Sequence, residues 1–454
     1  MDLLTLTCFS LVPCFVFLLL KPILERRNRA CFVLHYECYK GKDERKLDSG
    51  TCAQIVQRNE KLGLEEYRFL LKTMISSGIG EETYGPRNIL EGREDNPNLL
   101  DAYTEMDEIM FDTLDNLFAE TGISPREIGI LVVNVSLFPP APSLVSRLVN
   151  RYKMREDIKS YNLSGMGCGA SVISIDLVQR LFKIYKNTLA LVVSTESLSP
   201  HWYSGKDRSM MLSNCLFRTG GSSVLLTNNV KLKNKAIMKL KTVVRAHVGY
   251  DEEAYACSMQ MEDSEGHKGF LRTKHLEKAA ARAMAKNFQV LIPRVLPVKE
   301  LFRYSITSSF KRRGANGESS SRIGLNLKSG IQHFCIPPGR RANIESIGKR
   351  LGLDEHDTEP ARMALHRFGN TSSSGIWYVL GYMEAKKRLR KGENALMISM
   401  GAGFESSNCV WQIMKDMNCE NIWKDSIGHY PELSETPNPF EGKYDWINDD
   451  AVSF

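Results

Sequence analysis

A single cysteine with small residues on both sides is the strongest chemical signal in the sequence. Cys168 lies in the segment Asn162-Leu-Ser-Gly-Met-Gly-Cys168-Gly-Ala-Ser171, where the glycines leave room for a large substrate to approach the sulfur. The thiolate form of cysteine is a strong nucleophile. A buried structural cysteine is the common alternative for this residue type. The glycines around Cys168 favour the nucleophile.

The residues around Cys168 predict a strand followed by a helix. Ile158–Asn162 has the pattern of a strand that enters a turn, and Val172–Phe182 spaces its apolar residues as a helix does. The backbone N–H groups and the positive end of the dipole at a helix N-terminus favour a thiolate over a thiol. The sequence therefore places Cys168 at a strand-to-helix corner, a position that suits a nucleophile.

Three histidines and one asparagine downstream are further candidates for catalysis: His247, His333, His366 and Asn370. A lone histidine is more often a structural side chain than a catalyst, although its charge changes near neutral pH. Asn370 precedes Thr-Ser-Ser-Ser-Gly375, a run of small hydroxyl residues before a predicted helix, and its amide could face a cavity. Helix capping explains the same residues, so both interpretations stay open.

Buried strands alternate with helices over most of the chain. The predicted strands are Ile128–Asn134, Thr188–Ser194, Gly221–Thr227, the stretch around His333–Ile336, and Ala395–Met400. The predicted helices are Leu62–Met74, Met106–Leu117, one near Ser143–Tyr152, one near His275–Gln289, and one near Gly375–Leu389. Strands that are apolar on both faces and alternate with helices predict a layered α/β fold. The second part of the chain repeats the pattern more loosely, which indicates two similar halves.

These patterns divide the chain into five regions. They are an N-terminal anchor with a basic flank (1–29), a lead-in or cap without a clear sheet pattern (30–100), a first half that contains the cysteine (101–230), a second half (231–415) and a tail (416–454).

The composition excludes several classes of protein. The chain has 454 residues, of which 43% are hydrophobic and 25% charged, as in a large globular protein. Its net charge of +7 is spread along the chain without basic runs interleaved with aromatics, so we expect no nucleic-acid partner. The eleven cysteines form no CxxC pair and no cluster at zinc spacing, so we expect neither a metal site nor a disulfide framework.

The N-terminus carries an apolar stretch, Leu3–Leu20, that just reaches the length of a membrane span. Lys21 and three arginines before residue 30 follow it, and this basic flank predicts a cytosolic body by the positive-inside rule. A secretory signal would begin with basic residues and end at a small-residue cleavage site, whereas this chain begins Met1-Asp2. We predict an uncleaved anchor, with an interfacial hairpin as the alternative because Pro13 interrupts the stretch.

Several longer motifs connect the chain with a known family. They are Thr83-Tyr-Gly-Pro-Arg87, Asn134-Val-Ser-Leu-Phe138, Gly-Met-Gly-Cys168, Asn214-Cys-Leu-Phe-Arg218 and His366-Arg-Phe-Gly-Asn370-Thr-Ser-Ser-Ser. In these motifs, and in their order after an N-terminal anchor, the sequence resembles plant 3-ketoacyl-CoA synthases nearly from end to end.

The resemblance implies a fold, a reaction and a location. The fold would be a thiolase-like, five-layered α-β-α-β-α body of two similar halves, similar to chalcone synthase and anchored at the N-terminus. The reaction would join a long-chain acyl-CoA to malonyl-CoA during fatty acid elongation, without a metal or an organic cofactor. The location would be the endoplasmic reticulum membrane, with the body facing the cytosol. The implied partners are the other elongase enzymes and a second condensing subunit, in a homodimer or a heterodimer.

The resemblance also assigns roles to the candidate residues. Cys168 would carry the acyl chain, and Asn370 matches the asparagine that stabilises the enolate formed when malonyl-CoA loses carbon dioxide. His247, His333 and His366 match family histidines that are regarded as important for activity.

One position departs from the family pattern. The family continues His-Phe-Cys-Ile into His-Ala-Gly-Gly-Arg, whereas this chain has Pro337 in place of that second histidine. A proline side chain can neither donate a proton nor hydrogen-bond an enolate. His333 would lie about 13 Å away along an extended strand, so it could take over only after a local rearrangement. His366 is the better substitute, and a weak or inactive paralogue that binds acyl-CoA or regulates an active enzyme is the remaining possibility.

Overall fold

Short aliphatic runs form the strands of a sheet that extends through the molecule. The computed structural model describes residues 30–313 and 324–430. The strands are β1 (Phe32–Cys38), β2 (Ile128–Asn134), β3 (Lys159–Leu163), β4 (Leu189–Thr195), β5 (Gly221–Thr227), β6 (Met238–His247), β7 (Ser258–Glu262), β8 (Lys268–Arg272), β9 (His333–Cys335), β10 (Asn394–Met397), β11 (Met400–Gly401) and β12 (Glu405–Ile413). The α-helices are α1 (Ser49–Gln57), α2 (Leu64–Ser77), α3 (Arg87–Leu90), α4 (Leu99–Thr121), α5 (Leu144–Tyr152), α6 (Ala170–Leu181), α7 (Arg208–Leu216), α8 (Glu252–Tyr255), α9 (Leu276–Val295), α10 (Val298–Arg313), α11 (Arg341–Leu351), α12 (Glu355–Phe368) and α13 (Gly375–Ala385).

Within the described residues, ten strands pair in one mixed sheet. Their order is β3-β2-β4-β5-β1-β6-β12-β10-β9, and β11 pairs with the start of β12. β2 runs parallel to both β3 and β4, and β9 runs parallel to β10. β7 and β8 form a separate antiparallel hairpin. The parallel strands β2 and β4 are almost wholly buried, as expected for strands with helices on both faces.

The sheet consists of two groups of strands in chain order. β1 to β5 form the first group, and β6 with β9 to β12 forms the second. The groups meet between β1 and β6, where Phe32 pairs with Lys239 and Val33 pairs with Met238. This short pairing is the seam between the two halves of the sheet.

Helices cover the strands and also lie between the two groups. α6 packs against β2 and β4 of the first group and against β12 of the second. α4 covers β1 and β5, whereas α9 covers β6 and β12. Side chains from both groups, among them Val132, Val192 and Trp411, join Trp377 of α13 in one hydrophobic cluster. These contacts confirm the prediction of a mixed α/β fold.

Two strands have the bounds that were predicted from the sequence, whereas residues 30–100 differ from their prediction. β2 and β5 coincide with the predicted strands. The predicted lead-in over 30–100 was expected to lack a clear sheet pattern, yet it contains β1, which pairs with β5 on one side and β6 on the other. That expectation was wrong for Phe32–Cys38, because His35 and Glu37 interrupt the apolar run. Their side chains meet at 2.6 Å, so the two polar groups satisfy each other.

The predicted anchor, Leu3–Leu20, lies outside the described residues. Among the helices in 30–313 and 324–430, none combines the length and the apolar character needed to cross a membrane.

Candidate active site

Cys168 lies at the corner between β3 and α6, which confirms the predicted strand-to-helix position. A turn of 3-10 helix, Gly167–Gly169, carries it directly before α6. Gly167 has a φ of +56°, and a Cβ at this residue would lie 2.9 Å from the backbone nitrogen of Ala402. A side chain at position 167 would therefore be strained and would also collide with the neighbouring loop. The glycines allow this turn, called the cysteine turn below, to pack closely against Gly401 and Ala402.

The sulfur of Cys168 faces a large cleft between the two halves. The space of the cleft, including the open solvent at its mouth, is about 1330 Å³. Apolar side chains make up much of its wall: Leu137, Leu198, Phe217, Phe270, Ile347, Met400 and Phe404. A mostly apolar cavity with a few polar groups is typical of a small-molecule site, and this one has the nucleophile candidate in its wall.

Asn370 enters the same cleft from the second half of the chain. Its backbone forms a parallel bridge with Phe217, and its side chain lines the cleft together with Cys168. The side-chain oxygen accepts a hydrogen bond from the Ser372 N–H at 3.0 Å. The amide nitrogen lies 3.5 Å from the Gly339 carbonyl oxygen. Because the oxygen is engaged by the turn, the NH₂ group is the part of Asn370 that is left to donate into the cleft.

Ser372 connects the turn that follows Asn370 with the cysteine turn, Gly167–Gly169. It starts the 3-10 turn Ser372–Ser374, which precedes the buried helix α13. Its φ is +57°, an unfavourable value for a residue with a side chain. Its hydroxyl donates a hydrogen bond to the Cys168 sulfur at 3.6 Å. The run of hydroxyl residues is visible in the sequence, but its contact with Cys168 was not predicted.

The surroundings of Cys168 act on its ionisation in opposite directions. Burial raises the pKa of the thiol, and the negative charge of Glu196 also raises it. The hydrogen bond from Ser372 and the positive charge of Arg272 lower the same pKa. Burial is the largest of these effects, so the pKa of Cys168 lies above its ordinary value. The thiolate therefore needs nearby donors and cations to form.

Pro337 lines the same cleft as Cys168 and Asn370. Its carbonyl oxygen accepts a hydrogen bond from the Gly339 N–H at 2.8 Å, which closes a tight bend after β9. The position that departs from the family pattern thus faces the same space as Cys168 and Asn370. Its side chain offers no hydrogen-bond donor there.

The three histidines predicted to act in catalysis do not line the cleft. His247 ends β6 on the surface, where its Nδ1 accepts a hydrogen bond from the Gly249 N–H at 3.0 Å. His333 in β9 contacts the Glu393 carboxylate at 2.8 Å. His366 contacts the Tyr430 hydroxyl at 2.8 Å, and its ring packs against Gly80. Within the described part of the chain, the structure brings Cys168 and Asn370 together in the cleft wall but none of these histidines.

Comparisons with known proteins identify the family of this chain. A family model described as FAE1/Type III polyketide synthase-like protein matches residues 23–313, and the C-terminal model of 3-oxoacyl-[acyl-carrier-protein] synthase III matches residues 324–413. The protein called 3-ketoacyl-CoA synthase 19 of Arabidopsis thaliana is 72% identical to this chain, over 97% of this chain and 96% of the relative. The chain belongs to the 3-ketoacyl-CoA synthase family. Another member, 3-ketoacyl-CoA synthase 12 of the same plant, is 48% identical over 99% of this chain and 98% of its own length.

Solved structures confirm the thiolase-like fold of this 3-ketoacyl-CoA synthase family member. The type III polyketide synthase domain of Steely1 from Dictyostelium superposes with a TM-score of 0.65 at 15% identity, over 85% of this chain and 99% of that domain. A polyketide synthase from the brown alga Ectocarpus siliculosus gives a TM-score of 0.63 at 15% identity, over 85% of this chain and 99% of the other. At this level of identity, the likeness concerns the fold.

Sequence reasoning missed three charged or titratable residues in the cleft wall: Glu196, His201 and Arg272. Glu196 accepts hydrogen bonds from the backbone N–H groups of Ser136 and Leu137, at 3.1 Å and 3.0 Å. His201 donates from Nδ1 to the Ser197 carbonyl oxygen at 3.0 Å, and burial lowers its pKa, so it is neutral at neutral pH. These residues do not belong to any of the motifs identified in the sequence, and only the fold brings them to the cleft.

A possible metal-binding group lies on the surface. Among the described residues, Asp354, His356 and Asp357 have potential ligand atoms within 4.8 Å of one another. The two aspartates form the capping box of α12, and Lys328 pairs with both of them at 2.8 Å and 2.7 Å. Helix capping and this lysine account for the cluster, so it indicates no metal site.

Proposed function

We propose that this chain condenses a long-chain acyl-CoA with malonyl-CoA to give a 3-ketoacyl-CoA, carbon dioxide and CoA in very-long-chain fatty acid elongation. The observation that carries the proposal is the meeting of Cys168 and Asn370 in one largely apolar cleft. The family to which the chain belongs supports the same reaction.

The first step loads the acyl group onto Cys168. The thiolate attacks the thioester carbonyl of the acyl-CoA, a new carbon–sulfur bond forms, and the bond to the CoA sulfur breaks. CoA leaves as a thiolate and takes a proton from water. The apolar side chains of Leu137, Phe217 and Phe270 in the cleft wall suit a hydrocarbon chain.

The second step forms the new carbon–carbon bond. Malonyl-CoA loses its carboxylate as carbon dioxide, and the electron pair of the broken bond becomes an enolate. The enolate carbon attacks the acyl carbonyl on Cys168 and expels the cysteine thiolate. The NH₂ group of Asn370, oriented by the Ser372 N–H, is suited to stabilise the enolate oxygen.

A second candidate function follows from Pro337. The residue faces the cleft where the family pattern has a histidine, and it supplies no donor. Removal of one such donor costs about 3 kcal/mol of transition-state stabilisation in other enzymes. The second candidate is therefore a weak or inactive paralogue that binds acyl-CoA or regulates an active condensing subunit.

The proposal includes a location and partners. The apolar stretch Leu3–Leu20 and the basic residues that follow it support an anchor in the endoplasmic reticulum membrane, with the body in the cytosol. The partners would be the other elongase enzymes and a second copy of the condensing fold, in a homodimer or a heterodimer.

The test is an elongation assay in microsomes that contain the full chain. Labelled malonyl-CoA is supplied with saturated acyl-CoAs, and 3-ketoacyl and elongated products are measured for the unmodified protein and for Cys168→Ala. Product that is lost in Cys168→Ala supports the condensing enzyme.

Absence of product from the unmodified protein, in microsomes where an active family member elongates the same substrates, would contradict catalysis. In that case, acyl transfer onto Cys168 without elongation would support the binding or regulatory role.

A further inference from the structure

Arg272 is placed in the cleft by the hairpin β7–β8. Side chains alternate between the two faces of a strand, so Phe270 and Arg272 lie on the same face of β8, and both line the cleft. Ser258, which pairs with Arg272 across the hairpin, also lines it. The last residue of β8 therefore carries a positive charge into the wall that also contains Cys168.

The guanidinium of Arg272 has no counter-charge in the described parts of the chain. No side chain or carbonyl there forms a hydrogen bond or an ion pair with it, whereas Arg245 pairs with both Asp176 and Glu405. The positive charge of Arg340, whose Nε is buried without a partner, disfavours the charged form of Arg272 further. The Arg272 side chain is half-buried, and a positive charge that loses part of its contact with water without gaining an anion is unfavourable. An anion that forms in the cleft would relieve this cost.

The sulfur of Cys168 can become such an anion, and its charge acts on Arg272. Arg272 and Cys168 attract each other once the thiol has lost its proton, so the arginine lowers the pKa of the thiol and opposes the effect of burial. Glu196 acts in the opposite sense, and His201 is neutral because burial lowers its pKa. Among the described residues that line the cleft, Arg272 is therefore the cation that acts on Cys168.

In a cysteine enzyme with a nearby histidine, a thiolate–imidazolium pair supplies the positive charge. Pro337 offers no such partner, and the three predicted histidines are absent from the residues that line the cleft. The positive charge for a thiolate must then come from another side chain. We propose that Arg272 stabilises the Cys168 thiolate when it forms and thus takes the place of the missing imidazolium. The inference deepens the proposed function, because it takes Cys168 as the acyl nucleophile.

The test measures the reactivity of the thiol without any acyl-CoA. The full chain is treated with iodoacetamide from about pH 6 to about pH 10, and alkylation of Cys168 is followed by peptide mass spectrometry. In this reaction the thiolate sulfur bonds to the reagent carbon and iodide leaves. Cys419, an exposed cysteine outside the cleft, is the internal reference.

Substitutions at position 272 separate the effect of the positive charge from the effect of changing the side chain. Arg272→Met and Arg272→Gln remove the positive charge and should raise the apparent pKa of Cys168 by about one unit, which slows alkylation at pH 8 about 10-fold. Arg272→Lys keeps the charge and should restore most of the rate. Lys268→Met removes the same charge from the exposed end of the same strand and should leave the profile unchanged.

The inference is overturned if both neutral variants keep the pH midpoint of the unmodified protein. It is also overturned if alkylation slows equally at every pH, because that result indicates altered access rather than a lost charge. Alkylation needs neither acyl-CoA nor condensation. A protein that is inactive in elongation would therefore still give a clear answer, and the two proposals can fail separately.

Discussion

The two turns that build the site have corresponding positions but different compositions. Gly167–Gly169 precedes α6 in the first half, and Ser372–Ser374 precedes α13 in the second. Both helices are largely buried, and the two turns pack against each other. One turn is made of glycines around a cysteine, whereas the other is made of serines after an asparagine.

The difference separates two tasks. The cysteine turn packs closely against the next loop, since a Cβ at Gly401 would lie 2.1 Å from the Met166 carbonyl oxygen. On the cleft side, Gly165 has no atom within 4 Å of its Cβ position, so the segment before Cys168 leaves space there. The serine turn provides orientation: the Ser373 hydroxyl donates to the Asn134 side-chain oxygen at 2.8 Å, and the Ser372 N–H donates to the Asn370 side-chain oxygen. A nucleophile that must receive a bulky thioester needs free space, whereas a donor to a developing oxyanion needs a fixed direction.

Replacing the oriented amide should give the largest change in rate. Asn370→Ala removes the donor to the enolate, so we expect condensation to fall about 100- to 1000-fold while acyl transfer to Cys168 continues. The two steps are measured separately, as acyl-enzyme and as 3-ketoacyl product. Asn150→Ala, at an exposed site near the end of α5, is the control. Equal loss of both steps in Asn370→Ala would contradict an orienting role in the second step alone.

Restoring a hydrogen-bond donor at position 337, which lines the cleft with Cys168 and Asn370, should raise the rate of elongation. Pro337→His places an imidazole beside Cys168 and Asn370, and acid–base catalysis by such a group contributes about 100-fold or more in other enzymes. We expect elongation to increase by about that factor. Pro337→Ala removes the ring without adding a donor and should not increase it. An equal increase in both variants would show that the proline ring obstructs the cleft.

Adding a side chain to the closely packed cysteine turn should destabilise the fold. Gly167→Ala combines a positive φ with a contact of 2.9 Å to a backbone nitrogen. We expect it to lower the free energy of unfolding by about 2 to 3 kcal/mol. Gly122 has a φ of +65° with open space around it, so Gly122→Ala should cost only about 1 kcal/mol. Denaturant unfolding measures both, and equal losses would contradict the close packing of this turn.

The hydroxyl between the two turns should have the smallest effect. Ser372→Gly tolerates the positive φ and removes the donor to the Cys168 sulfur. Because that hydrogen bond lowers the pKa of the thiol, its loss should raise the pKa and slow alkylation at pH 8 by about 3-fold. Ser372→Ala removes the same hydroxyl but strains the backbone. A shift in the alanine variant alone would assign the effect to strain.

The sequence predicted the strands with continuous aliphatic runs better than those with polar residues. β2 and β5 match their predicted bounds. β6 was missed, although Met238, Leu240, Thr242 and Val244 are buried in alternation along it. Lysines and other exposed residues lie between them, so the strand looks charged in sequence. Its partners β1 and β12 are distant in the chain, and local patterns do not show such pairings.

Within the site, the residues in motifs were predicted and those placed by the fold were not. Cys168 and Asn370 stand in glycine- and serine-rich motifs that the sequence displays directly. Arg272 reaches the cleft through the β7–β8 hairpin, which the sequence analysis did not predict. His201 and Glu196 come from the loop after β4. Their function depends on neighbours that are far away in the chain, so composition and spacing gave no signal for them.

The most direct test of the account is acyl transfer onto Cys168. The full chain is incubated with a labelled long-chain acyl-CoA, and its peptides are analysed for a thioester adduct. We predict an adduct on the peptide that contains Cys168, none on exposed Cys419, and no adduct in Cys168→Ala. Undiminished labelling of Cys168→Ala, or a label confined to another cysteine, would contradict the claim that this cleft holds the acyl nucleophile.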